Sequence, residues 1–86
     1  MEIDFEDLGK QCLTVCDKQG WERDWREGGC YLHLEVSEFI ESLRGKHGLP
    51  VEEAGDVMFV LLAMMQEANI SFEQSIEYMK KRHGLI

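Results

Sequence analysis

The amino-acid sequence predicts an all-α fold, an antiparallel bundle of four helices. Apolar residues recur at spacings of three and four positions almost throughout the chain, and no segment alternates as a strand does. Short glycine-containing or polar segments divide the chain into four helical stretches, and short connections favour antiparallel neighbours. A length of 86 residues with a single proline predicts one domain over residues 1–86.

The first two helices are separated by a glycine-bracketed segment. The first helix is predicted over about Phe5–Lys18, with Asp4 as its N-cap and Gly20 just after its end. The segment "GWERDWREGG" reads as a loop or short turn. The second helix is predicted over about residues 31–44. The apolar stripe expected to face the core is Leu32, Val36, Phe39 and Leu43.

The third and fourth helices have clear start signals. "GKHGLP" interrupts the chain, and Pro50 suits the first position of a helix that runs to about residue 68. The second half of this helix is apolar on nearly every side, which predicts a central position or cover by a partner subunit. The fourth helix begins at "SFEQ", where Ser71 and Gln74 fit a capping box, and ends near residue 82.

Composition excludes several classes of function. Nine basic against 17 acidic residues give a net charge of −8, which argues against a nucleic-acid partner. The longest apolar run, "VMFVLLAMM", is too short to span a membrane, and the acidic start "MEIDFEDLGK" predicts no signal peptide. Cys12, Cys16 and Cys30 are therefore expected to be reduced thiols in a cytoplasmic protein, with Cys12 and Cys16 in the core.

Two pairs of carboxylates at a three-residue spacing form the candidate site. They are Glu35 with Glu38 in the second helix and Glu53 with Asp56 in the third. At about 100° per residue these side chains point towards the core or border it, and Glu38 and Asp56 are expected at about the same height. Converging carboxylates repel one another and lose hydration, which a hard divalent cation would relieve. Oxygen ligands favour magnesium, manganese or calcium over zinc.

Less specific interpretations of these residues stay open. Glu53 lies in the first turn of a helix, where a negative charge interacts favourably with the helix dipole. Glu35, Glu38 and Glu41 could also form a solvated face. A structural bundle with an acidic stripe, and a module that binds a nucleotide and metal without turnover, are therefore kept beside an enzyme.

The two carboxylate motifs also resemble a known signature. "LEVSE" followed by "EEAGD" resembles the ExxE…ExxD pattern of the all-α nucleoside triphosphate pyrophosphatases, which include MazG-type proteins, dimeric dUTPases and dCTP pyrophosphatases. The likeness extends through "EEAGDVMFVLLAMMQEANISFEQSI" and includes "KKRHG" and "ERDW", so it covers about residues 21–83. It implies a MazG-like homodimer or homotetramer that hydrolyses a nucleoside triphosphate between the α- and β-phosphates, in the control of nucleotide pools.

The resemblance also implies roles for individual residues. The magnesium ligands, with manganese as a substitute, would be Glu35, Glu38, Glu53 and Asp56. Glu38 or Glu41 would take the proton of the attacking water.

Basic and aromatic residues would bind the rest of the nucleotide. Lys80, Lys81 and Arg82 would grip the outgoing phosphates, or else only complement the dipole at a helix C-terminus. Trp21 and Trp25 would stack on the base, or else pack against the bundle.

Overall fold

Four α-helices form the framework of the protein. The computed structural model describes residues 1–20 and 25–86, apart from the side chains at positions 25 and 27. The helices are α1 (Phe5–Lys18), α2 (Trp25–Leu43), α3 (Pro50–Glu67) and α4 (Phe72–His83), and the described residues contain no strand. The all-α prediction is therefore confirmed. None of the helices in this part of the chain has the length and apolar character needed to cross a membrane.

Local capping signals set most of the helix ends. The Asp4 side chain accepts a hydrogen bond from the backbone N–H of Asp7 at 3.1 Å, which confirms the predicted start of α1. Pro50 lies at the first position of α3. Ser71 Oγ accepts a hydrogen bond from the backbone N–H of Gln74 at 3.2 Å and so caps α4.

The start of α2 differs from the prediction. The helix begins at Trp25 rather than near residue 31, so the last residues of the expected loop are helical. The reason is packing. A methyl group at Gly28 would lie 3.3 Å from Met64 Cγ in α3, so this glycine permits close approach of two helices instead of ending one.

Helix α3 is the centre of the arrangement. Both α1 and α2 pack along it, which confirms the central position predicted from its apolar character. The buried cluster joins α1, α3 and the start of α4, and consists of Cys12, Leu62, Ala63 and Phe72. Cys12 is thus in the core as predicted, and Cys16 packs against this cluster as a partly buried residue. Cys12, Cys16 and Cys30 form no disulfide bond with one another.

The inward face of α2 is only in part the predicted apolar stripe, of which Leu32 and Phe39 are partly buried. Val36 is exposed and Leu43 is 63% exposed, whereas Ser42 is 4% exposed. The hydroxyl of Ser42 donates a hydrogen bond to the backbone carbonyl of Phe39, which makes burial of this polar group inexpensive. The same side of the helix carries Glu35. This carboxylate therefore lies closer to the core than its predicted place beside the apolar stripe.

Candidate metal centre

The four predicted carboxylates converge where α2 faces α3. One oxygen each from Glu35, Glu53 and Asp56 lie within 4.8 Å of one another, and Glu38 forms a second such group with Glu53 and His47. A spacing of three residues keeps the two carboxylates of each pair on one face of their helix. The packing of α2 against α3 then brings the two pairs together.

Glu53 belongs to both groups of donors. Glu38 is grouped with Glu53 rather than with Asp56. At the end of α2 the backbone N–H of Lys46 donates a hydrogen bond to the carbonyl of Glu41 at 2.9 Å, which closes the helix before the connection to α3.

Two carboxylate oxygens in this cluster lack partners. Oε2 of Glu35 and Oε2 of Glu53 are buried and have no hydrogen-bond partner among the described residues. Glu53 is only 8% exposed. Burial raises the pKa of Glu35 above its ordinary value, and repulsion from the carboxylates of Glu38, Asp56 and Glu53 adds to the increase. Unpaired buried carboxylates are costly, so the arrangement fits a bound cation.

A glycine makes room for the most buried carboxylate. Gly48 has φ +53°, and a methyl group at this position would lie 2.5 Å from Glu53 Oε1. Any other residue would therefore strain the backbone and also displace the carboxylate. The loop between α2 and α3 is thus part of the site.

His47 is a site residue that the sequence prediction did not assign. Its Nε2 lies 3.5 Å from Glu53 Oε1 and 3.6 Å from Glu38 Oε2. The sequence does contain a signal for this role: His47 lies in a short loop between two helices that carry carboxylates near their connected ends.

A cavity of about 300 Å³ opens beside the carboxylates. Its walls are mainly apolar, and Glu35 and Asp56 supply its charged groups. The full lining is Cys16, Tyr31, Glu35, Asp56, Phe59, Val60, Ala63 and Met64. This volume is at the lower end of the range for small-molecule sites, which combine apolar walls with a few polar groups.

The other predicted residues have varied positions. Glu41 forms an ion pair with Arg44, with 2.8 Å between the charged atoms. In the last turn of α4, Lys80 is half-buried while Lys81 and Arg82 are exposed. In the described part of the chain these three cations form no ion pair with the carboxylate cluster. Trp21 and the Trp25 side chain lie outside the described residues.

Comparison with known proteins identifies a family. The sequence model of the family described as phosphoribosyl-ATP pyrophosphohydrolase matches residues 30–83. No curated protein and no solved structure matches the chain. The matched range contains His47 and all four carboxylates, whereas α1 precedes it. The chain belongs to the phosphoribosyl-ATP pyrophosphohydrolase family, within the MazG-like all-α nucleotide pyrophosphatases that its two motifs predict.

Proposed function

We propose that this protein is a magnesium-dependent pyrophosphohydrolase that cleaves a nucleoside triphosphate between the α- and β-phosphates. The products would be the monophosphate and pyrophosphate. The observation that carries the proposal is the group formed by Glu35, Glu53 and Asp56, with donor oxygens within 4.8 Å of one another and with unpaired buried oxygens on two of them. Membership of a pyrophosphohydrolase family supports the reaction type.

The donors suit a hard cation. Carboxylate oxygens are preferred ligands of Mg²⁺, which commonly also takes phosphate oxygens from a substrate, and Mn²⁺ would substitute. A bound Mg²⁺ would supply neutralisation of the phosphate charge and activation of a water molecule.

Glu38 is the carboxylate that we assign to accept the proton of the attacking water. Its side chain is 29% exposed and so can be reached from solvent. Glu41 was the other candidate, but its carboxylate is already paired with Arg44 at 2.8 Å. That ion pair occupies the Glu41 carboxylate and leaves Glu38 as the assigned proton acceptor.

The cavity beside the carboxylates is the proposed nucleoside site. Tyr31 and Phe59 contribute aromatic side chains to its lining, and aromatic side chains stack on bases. Lys80, Lys81 and Arg82 are retained as candidates to contact the outgoing phosphates, and Trp21 and Trp25 as candidates to stack on the base.

We also propose that the protein acts as a homodimer or homotetramer. Several large apolar side chains of α2 and α3 are exposed in the single chain, among them Leu34, Ile40 and Met58. Contact between copies would remove this surface from water. Its free cysteines suit a cytoplasmic protein, and the proposed role there is the removal of unwanted triphosphates.

Product analysis tests the proposed function. The protein would be incubated with Mg²⁺ and a panel of ribo- and deoxyribonucleoside triphosphates, together with phosphoribosyl-ATP. We expect monophosphate and pyrophosphate from at least one nucleoside triphosphate, loss of turnover in Glu38→Gln and retention of turnover in the matched Glu41→Gln. Turnover of phosphoribosyl-ATP alone would correct the substrate. Magnesium-dependent nucleotide binding without product would show a binding module instead of an enzyme.

A further inference from the structure

A histidine and two carboxylates meet where the loop between α2 and α3 closes. We propose that Glu38, His47 and Glu53 form a second cation position whose mixed nitrogen and oxygen donors select transition-metal ions such as Zn²⁺ and Co²⁺ over Mg²⁺. This position shares Glu53 with the proposed magnesium group and uses Glu38, the proposed proton acceptor, so it rests in part on the proposed function.

The distances suit metal ligands better than hydrogen bonds. His47 Nε2 lies 3.5 Å from Glu53 Oε1 and 3.6 Å from Glu38 Oε2, beyond the roughly 2.7–3.2 Å usual for an N–H···O hydrogen bond. Two donors held about 2.1 Å from one metal at a tetrahedral angle lie roughly 3.4 Å apart. The two distances from His47 are therefore close to those that a shared ion requires, and the three donor atoms lie within 4.8 Å of one another.

Glu53 connects this position to the first group of carboxylates. It is 8% exposed, and its Oε2 is buried without a hydrogen-bond partner. Its Oε1 is the atom nearest His47, in the space that Gly48 leaves by having no side chain. A carboxylate with one oxygen beside the imidazole and another unpaired can serve two neighbouring cations.

An ion could reach this position from solvent. An open depression at the surface is lined by Ser37, Glu38, Glu41, Lys46 and His47, whereas Glu35 and Asp56 line the separate apolar cavity. The imidazole side chain itself is 48% exposed. An imidazole nitrogen suits zinc and later transition metals, whereas Mg²⁺ prefers oxygen ligands. The position that includes His47 and the all-carboxylate group therefore differ in the cation that they select.

Metal titration of the metal-free protein tests this position. Zn²⁺ and Mg²⁺ would be titrated separately into the wild type, His47→Gln and the matched control His33→Gln, which replaces an exposed histidine of α2. We expect His47→Gln to weaken Zn²⁺ binding by about tenfold or more and to leave Mg²⁺ binding nearly unchanged. His33→Gln should change neither. Equal Zn²⁺ affinity in the wild type and His47→Gln would overturn the inference.

Nitrogen NMR supplies a readout that does not depend on activity. In the 15N-labelled wild type, Zn²⁺ should shift the ring nitrogens of His47, and this signal should be missing from His47→Gln. Mg²⁺-supported turnover with no Zn²⁺-induced shift at His47 would overturn the second position and leave the proposed function standing. A shifted His47 in a protein without turnover would support the second position and contradict the proposed function.

Discussion

The carboxylate of Glu6 in α1 accepts a hydrogen bond at 2.8 Å from the backbone N–H of Phe72, the first residue of α4. The ring of Phe72 also stacks on Phe5, with 5.5 Å between the ring centroids. The first helix therefore satisfies a backbone donor of the last, at a helix end where such donors have no partner within the helix.

Replacement of Glu6 should loosen this connection. We expect Glu6→Ala to lower the free energy of unfolding by about 1–2 kcal/mol, because a buried N–H loses a charged acceptor. Thermal unfolding followed by circular dichroism would measure the effect. Glu2→Ala, which removes an exposed carboxylate nearby in sequence, should leave the midpoint unchanged, and an equal loss in both variants would contradict the assignment.

Removal of the charge at Glu35 should stabilise the metal-free protein at neutral pH. Burial and neighbouring carboxylates raise the pKa of Glu35 in the folded state above its ordinary value of 4.5. The folded state then holds the proton more tightly than the unfolded state, so its stability falls as the pH rises from about 4.5 through the folded-state pKa. Glu35→Gln abolishes this loss.

Unfolding in a chelating buffer across a pH series checks this sign. Glu35→Gln should unfold at a higher temperature than the wild type at pH 7, and the difference should disappear in more acidic buffer, where both states of the wild type are protonated. Glu77→Gln, at an exposed position of α4, is the control. A less stable Glu35→Gln at pH 7 would show that the carboxylate has a compensating partner.

Gly48 and Gly45 form a matched pair for testing the loop. Both have positive φ, +53° and +72°, but only a methyl group at Gly48 would meet the Glu53 carboxylate. Either change to alanine should cost about 1–2 kcal/mol of stability through backbone strain. Only Gly48→Ala should also weaken Mg²⁺ binding, which calorimetric titration would measure. Equal Mg²⁺ affinity in the two variants would mean that Glu53 is not needed in its present place.

Replacement of Ile40 by a charged residue should dissociate the proposed oligomer. This side chain is 50% exposed in the single chain, and an unpaired charge is costly within an interface. In light scattering coupled to size-exclusion chromatography, the wild type should have the mass of a dimer or tetramer and Ile40→Glu a lower mass. Gln74→Glu adds the same charge at a polar exposed position and should keep the wild-type mass. A monomeric wild type would contradict the proposal.

The helix ends were predictable because their signals are local. The caps at Asp4 and Ser71 and the proline at position 50 act within one turn of their own helices. The start of α2 was not predictable in this way. Gly28 remains helical because its small size suits Met64 in another helix, and no short stretch of sequence contains that contact.

The candidate site likewise has some features that the sequence predicts and others that it does not. Regular helix geometry converts the spacing of Glu35 and Glu38 into a shared direction, so their convergence with the pair on α3 followed from the sequence. The place of His47 depends on the path of a loop that is held by the bond from Lys46 to Glu41. One residue of the cavity wall, Cys16, comes from α1, far in sequence from both carboxylate motifs.

One residue of the cavity wall lies outside the family-matched part of the chain, while the other lining residues lie within it. Cys16 of α1 lines the cavity but precedes the family-matched range of residues 30–83, whereas every carboxylate of the cluster lies within that range. A substitution at Cys16 would thus reshape the cavity proposed to hold the nucleoside without altering any of the four carboxylates. Variation at this one position of α1 can therefore change the shape of the cavity during evolution while the carboxylates beside it are retained.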